Sequence, residues 1–254
     1  MTTVDERPAQ TAPVEAPGDQ PMTMLEHLTE LRNRIIISGL ALLVGMGVAL
    51  VPIPGFKSLT QFVIDLLVAI PDARNVQLIR PGEYILIYLQ VAIVIGAALA
   101  MPVILYQVLR FVLPALLEHE KKYLFLALPG AALSFVFGIA FGYGLLLPAA
   151  VQFLLGFSPP EIKTEWALSE YISTVTTLLF WMGATFQTPL LMFFLTKLGI
   201  VGVDRLQRLR KYVLVGAFVV GAVITPTPDP VTQTIVSLPL YLLFEIGILL
   251  ARLA

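Results

Sequence analysis

Glu30 stands four residues before Arg34, a spacing that brings a carboxylate and a guanidinium together on one helix face. Taken alone, such a pair is an intrahelical salt bridge worth about 0.3–0.5 kcal/mol. Glu118, His119 and Glu120 form a second acidic cluster just ahead of Lys121 and Lys122. That cluster reads either as a solvated charged turn or as a partner to Glu30, the two carboxylates together receiving a cationic peptide through charge-assisted hydrogen bonds. Three more polar groups interrupt apolar runs. Gln187 lies beside Pro189, Asp229 closes the stiff turn Thr225-Pro226-Thr227-Pro228, and Glu245 falls near the end of the last apolar stretch, where it either snorkels or pairs with Arg252.

Other chemistries lack their parts. The chain has no GxxxxGK[ST], HExxH or GxSxG sequence, so nucleotide hydrolysis, zinc proteolysis and serine-hydrolase chemistry are disfavoured. It has no cysteine, which removes disulfides and thiolate chemistry. We expect no enzyme activity, no metal and no cofactor. Recognition and transport remain.

The elements that position these residues are apolar. Of 254 residues, 57% are hydrophobic and 13% charged, and the mean hydropathy is +0.87. A soluble domain carries about a quarter of its residues as charges, so this chain uses lipid as its solvent. Residues 1–21, with Pro8, Pro13, Pro17 and Pro21 among Asp5, Glu6, Glu15 and Asp19, are expected to form a disordered tail without the features of a cleavable leader. Residues 22–254 are expected to form one transmembrane domain. Apolar runs predict six spans, near Ile35–Val51, Tyr84–Leu109, Tyr123–Leu155, Tyr171–Leu195, Tyr212–Thr225 and Val231–Ala251. Thr23-Met24-Leu25-Glu26 has the form of a capping box and predicts where the first helix starts. Phe56–Asp72 reads as an interfacial amphipathic helix. Asp229 and Glu245 are separated by only about 24 Å of helical rise, which makes the last two helices look short for their membrane and predicts local thinning. The Gly138–Gly142 spacing is best read as close helix packing.

With six spans, one side carries Arg7, Arg32, Arg34, Arg110, Lys121, Lys122, Lys197, Arg205, Arg208, Arg210, Lys211 and Arg252, twelve of the sixteen Lys and Arg. The positive-inside rule then places both termini in the cytoplasm.

The segment Glu26-His27-Leu28-Thr29-Glu30-Leu31-Arg32-Asn33-Arg34 resembles the N-terminal signature of the TatC family, the receptor subunit of the twin-arginine protein translocase. Further segments resemble the family in family order: Pro102-Val103-Ile104-Leu105-Tyr106-Gln107-Val108, Pro114-Ala115-Leu116 with His119-Glu120, Phe137 to Tyr143, Tyr212 to Gly221, and Leu243-Phe244-Glu245-Ile246-Gly247. The resemblance covers about residues 22–252. It implies an all-α, cup-shaped bundle of six transmembrane helices in the cytoplasmic (inner) membrane. It also implies binding of the twin-arginine signal peptides of folded cargo proteins, self-association, single-span partners TatA and TatB, and export driven by the proton motive force. Glu30 and Glu120 then match the carboxylates that receive the arginine pair, with Leu31, Arg32 and Phe111 lining or supporting them. Thr225 and Gln233 match a partner-docking region, Gln187 remains a polar contact for a partner helix, and Asp229 and Glu245 match functional polar positions.

This chain departs from the family pattern at two places. Gln187 stands in Phe186-Gln187-Thr188-Pro189 where many members have glutamate, so no ionised carboxylate can act there. The Thr-Pro-Thr-Pro turn before Asp229 is longer than the usual Thr-Pro-Pro. Apart from the resemblance, a solute transporter lined by Gln187, Asp229 and Glu245, or a membrane scaffold, fits the same residues.

Overall fold

The computed structural model describes residues 24–52, 54–55, 57–69, 76–112, 121–156, 166–225 and 229–253. The N-terminal tail, Thr23, Glu118, His119, Glu120 and Pro226–Pro228 lie outside the described residues. Ten α-helices and one short parallel β-pair are described. Five helical stretches are long and apolar enough to cross a bilayer: Leu25–Leu50, Glu83–Phe111, Leu128–Phe153, Leu168–Lys197 and Pro230–Ala251. The remaining expected span is helix α9 (Arg210–Ile224), whose 15 residues rise about 22 Å, short of a ~30 Å hydrocarbon core. Helix α10 (Pro230–Ala251) has 22 residues, so the expectation that both last helices are short holds by length for α9 alone.

Helix α1 (Met24–Leu50) runs unbroken through the Glu30 region and packs antiparallel on α3 (Glu83–Val112), with Arg34 opposite Gln107 and Gly45 opposite Gly96. At the glycine crossing a Cβ added to Gly45 would lie 2.6 Å from the Gly96 carbonyl oxygen, so the two backbones touch with no room for a side chain. The other face of α1 exposes Ile35, Ile36, Leu40, Leu43, Val44 and Val48, as a lipid-facing helix does. Between them lies α2 (Leu59–Val68), shorter than the interfacial helix expected over Phe56–Asp72. It is N-capped by Ser58 and buries Thr60, Ile64 and Leu67 while exposing Phe62 and Leu66.

Two prolines explain two irregularities. Helix α4 (Lys121–Phe141) continues through a π turn, Gly142–Leu146, into α5 (Leu147–Gly156). Pro148 has no N–H to offer the carbonyl of Gly144, and the wider turn absorbs the misfit, Leu147 N–H bonding Gly142 instead. The next expected span is broken at Phe186 into α6 (Leu168–Thr185) and α7 (Gln187–Lys197). Pro189 cannot bond the carbonyl of Thr185, four residues back, and the helix restarts at Gln187. The Ser134 hydroxyl donates to the Phe186 carbonyl at 2.7 Å, satisfying a backbone group at the break.

Helices α4 and α6 meet where Gly138 lies against Met182 and Gly183, and Gly142 against Leu179, the packing role expected of that glycine pair. The main core centres on Ile87, Val91, Leu147, Tyr171, Ile172, Val175 and Met182. Helix α8 (Val203–Arg208) leads into α9, which runs antiparallel to α10. Strands β1 (Val76–Gln77) and β2 (Trp166–Ala167) pair in parallel at the end of the bundle that holds α2.

Candidate functional site

The first turns of α1 and the last turns of α3 form the best-developed polar site in the described residues. Glu30 Oε1 accepts from an Arg34 guanidinium nitrogen at 2.7 Å, and the other terminal nitrogen of Arg34 donates to Gln107 Oε1 on α3 at 3.0 Å. The side chains of Arg34 and Glu30 are only 16% and 18% exposed. The i,i+4 pair is therefore no surface bridge; it is largely withdrawn from solvent, where both Coulomb attraction and desolvation cost rise. Glu30 Oε2 and Arg34 Nε are buried and have no hydrogen-bond partner among the described residues. One turn earlier, His27 stacks on Phe111 with ring centroids 4.4 Å apart and planes 18° off parallel, pinning the start of α1 to the end of α3.

A groove of about 420 Å³ opens from this cluster between α1 and α3. Apart from Arg34, Ser38 and Gln107 its lining is hydrocarbon: Leu31, Ile35, Leu42, Ile104, Val108 and Phe111. A carboxylate beside an apolar groove, linked to it through Arg34, suits a ligand that is cationic at one end and apolar beyond it.

The other singled-out residues sit elsewhere. Leu31 and Phe111 join the groove, whereas Arg32 is exposed and turned to Asn33 Oδ1 at 3.5 Å. Glu120 lies outside the described residues. Gln187 is buried at the α6–α7 break, donating to the Ala131 carbonyl on α4 at 3.1 Å, and its own carbonyl oxygen has no partner among the described residues. Thr225 bonds back to the Gly221 carbonyl at 3.0 Å, and Gln233 on α10 donates to the Phe218 carbonyl on α9 at 2.8 Å. Asp229 caps α10, accepting from the backbone N–H of Val231 at 3.1 Å and of Thr232 at 2.7 Å, with the Thr232 hydroxyl also donating to it. Glu245 pairs with Arg210 at the start of α9, at 2.7 Å, and accepts from the Tyr241 hydroxyl at 2.8 Å. Of the two alternatives offered for Glu245, snorkelling or pairing with Arg252, neither describes what is seen: Arg252 is the C-cap of α10, about two turns further along, whereas the antiparallel neighbour brings Arg210 alongside.

Two contributors were not marked by sequence reasoning. Gln107 lies in a quoted segment but 73 residues from Arg34, so no local spacing announces the contact. Glu83, buried at the start of α3, accepts from the backbone N–H groups of Ile79, Arg80 and Ser169 at 3.2, 2.9 and 3.1 Å. It supplies from another helix the cap that α6 lacks, since Ala167 at its N-cap has no side chain to offer. An acidic residue opening an apolar stretch is the only signal that could have found it.

A family model described as "Sec-independent protein translocase protein (TatC)" matches residues 26–239, most of the chain. The chain belongs to the TatC family. It is 38% identical to the TatC protein of Aquifex aeolicus over 92% of this chain and 96% of that one. It is 36% identical to the TatC protein of Deinococcus radiodurans, covering 96% and 92%. With the chloroplastic TATC of Arabidopsis thaliana it shares 36% identity, spanning 94% of this chain and 69% of the relative. A crystal structure titled as the twin-arginine translocase receptor TatC superposes with a TM-score of 0.76 at 38% identity, covering 90% of this chain and 99% of that one. Membership of a Sec-independent protein translocase family accords with the five long apolar helices and assigns the chain to protein translocation across a membrane.

Proposed function

We propose that this protein is the receptor subunit of a twin-arginine translocase in the cytoplasmic membrane. It binds the paired arginines of a folded cargo's signal peptide at Glu30 and Glu120 and exports the cargo with TatA- and TatB-type partners and the proton motive force. The observation that carries this reading is the state of Glu30. Its carboxylate is largely withdrawn from solvent, already holds one guanidinium, has one oxygen without a partner among the described residues, and is held by an arginine that lines an apolar groove. Two guanidiniums meeting two carboxylates form forked hydrogen bonds that an ammonium cannot reproduce, so arginine is preferred over lysine. Leu31 and Phe111 give the flanking apolar contact, and the exposed Arg32 is assigned a supporting role. The chain itself performs no covalent step.

We count α9 as the sixth span, which places both termini in the cytoplasm by the positive-inside rule. Supporting this, α9 returns antiparallel to α10, from Arg210 beside Glu245 to Phe218 beside Gln233. Its 15 residues then require a thinned bilayer. The side-chain-to-backbone contacts of Gln233 and Thr225 mark the region we assign to partner helices, with Gln187, buried at the α6–α7 break, assigned a partner contact as well. Asp229 caps the start of α10, the helix that carries Gln233.

Export into inverted vesicles tests the reading. Glu30→Gln and Glu120→Gln should each abolish uptake of an arginine-pair cargo while the protein still inserts and assembles. Full export in the double variant would remove the receptor assignment and leave a solute transporter or a scaffold.

A further inference from the structure

Arg34 and Glu30 make half of the contact their chemistry allows. A guanidinium can set two parallel N–H groups, Nε and one terminal nitrogen, against the two oxygens of a carboxylate. Here only the terminal nitrogen to Oε1 bond forms, at 2.7 Å, while Arg34 Nε and Glu30 Oε2 are both buried and unpartnered among the described residues. The other terminal nitrogen of Arg34 donates to Gln107 Oε1 on the facing helix at 3.0 Å, which turns the fork away from full engagement. Arg34 is thus shared between an acid on its own helix and an amide on α3, with a second place to go if the acid is taken. It also lines the apolar groove, so whatever enters there meets it.

We infer that Arg34 is an intramolecular stand-in for the ligand: it occupies the arginine-receiving carboxylate when the site is empty, and hands Glu30 to an incoming guanidinium while Gln107 retains it. The inference rests on the receptor reading above and adds a specificity-determining role for two residues. Without a resident cation, Glu30 would be a withdrawn carboxylate with no counter-charge, a costly arrangement. With one, an incoming group must outcompete a guanidinium already in place. An arginine does so by making both bonds, Oε2 included; a lysine offers a point charge without the planar fork and competes poorly. Arg34 therefore lowers affinity for every cation and lowers it most for lysine. Gln107 has the opposite effect, because it stabilises the displaced state.

The test uses the full chain in nanodiscs and fluorescence anisotropy of a synthetic signal peptide bearing either two arginines or two lysines. Arg34→Gln should tighten the arginine peptide by about tenfold, the scale of one hydrogen bond to a charged group, and the lysine peptide by more, so the arginine-to-lysine ratio narrows. Gln107→Leu should weaken the arginine peptide by a similar factor. Opposite signs for the two substitutions are the signature of competition. If both weaken binding, or if Arg34→Gln leaves the ratio unchanged, Arg34 merely holds Glu30 in place and the inference is wrong while the receptor reading stands. If the unaltered protein shows no preference for arginine, the receptor reading fails and this inference with it.

Discussion

Substituting Gly96 by alanine should loosen the α1–α3 pair that carries the site. A Cβ at Gly96 would lie 2.7 Å from Met46 N, 2.9 Å from Met46 Cα and 3.0 Å from Leu42 O, all backbone atoms that no rotamer change can move. Ordinary contact begins near 3.4 Å, so the helices must separate by 3.4 − 2.7, about 0.7 Å. Overpacking of this kind costs about 1–3 kcal/mol. At the far end of the pair, an opening of the same size would stretch the 3.0 Å Arg34–Gln107 bond to about 3.7 Å, beyond hydrogen-bonding range. Gly47, on α1 but with nothing within 4 Å of its added Cβ, is the matched control. There alanine should be neutral or stabilise by up to about 1 kcal/mol through helix propensity. Thermal unfolding in nanodiscs should show a Tm drop of several degrees for Gly96→Ala and none for Gly47→Ala, with signal-peptide affinity falling only in the first. Equal Tm values for the two variants would refute the claim that backbone contact at this crossing sets the site.

Asp229→Ala removes the α10 cap and should cost about 0.5–2 kcal/mol, whereas Asp229→Ser keeps most of it; hydrogen exchange at Val231 and Thr232 reads the difference. The Lys57 ammonium 2.6 Å from Asp65, aided by Gln61, holds the Asp65 carboxyl below its usual range, and Asp65 in turn holds Lys57 above its own. A lowered carboxyl stabilises the fold above its unfolded pKa and loses that contribution as pH falls through the folded value. Proteolytic protection of α2 should therefore weaken in acid below the ordinary carboxylate range, and Asp65→Asn should flatten that dependence. Glu245→Gln should leave Arg210 without its counter-charge. A double-mutant cycle with Arg210→Gln should give a coupling of about 0.5–3 kcal/mol in unfolding, and zero coupling would mean that the bridge does not tie α9 to α10.

What the sequence disclosed is local, and what it withheld is not. Apolar runs located the long helices because lipid exposure writes itself as uninterrupted hydrophobicity, as on the outer face of α1. Asp229 was legible as the end of a stiff turn, and the cap it makes on α10 is local too, reaching only three residues ahead. The Glu30–Arg34 pair was legible for the same reason, yet its withdrawal from solvent was not, since that depends on Gln107 and Phe111 arriving from another helix. Glu83 and Glu245 follow the same rule: their partners, Ser169 and Arg210, are set by helix neighbours rather than by spacing. The irregularities at Phe186 and Gly142–Leu146, inside stretches expected as continuous spans, lie beside Pro189 and Pro148, but Pro102, Pro129 and Pro239 sit within continuous helices. A membrane proline therefore marks a weak point without fixing its outcome.

The central claim is that Glu30 and Glu120 receive a pair of arginines, and site-specific photocrosslinking from positions 30 and 120 to a radiolabelled signal peptide tests it most directly. Strong crosslinks from both positions to the arginine-pair peptide, lost when the pair is lysine, are the predicted result. Crosslinks absent from both positions, or equal for the two peptides in correctly inserted protein, would contradict it.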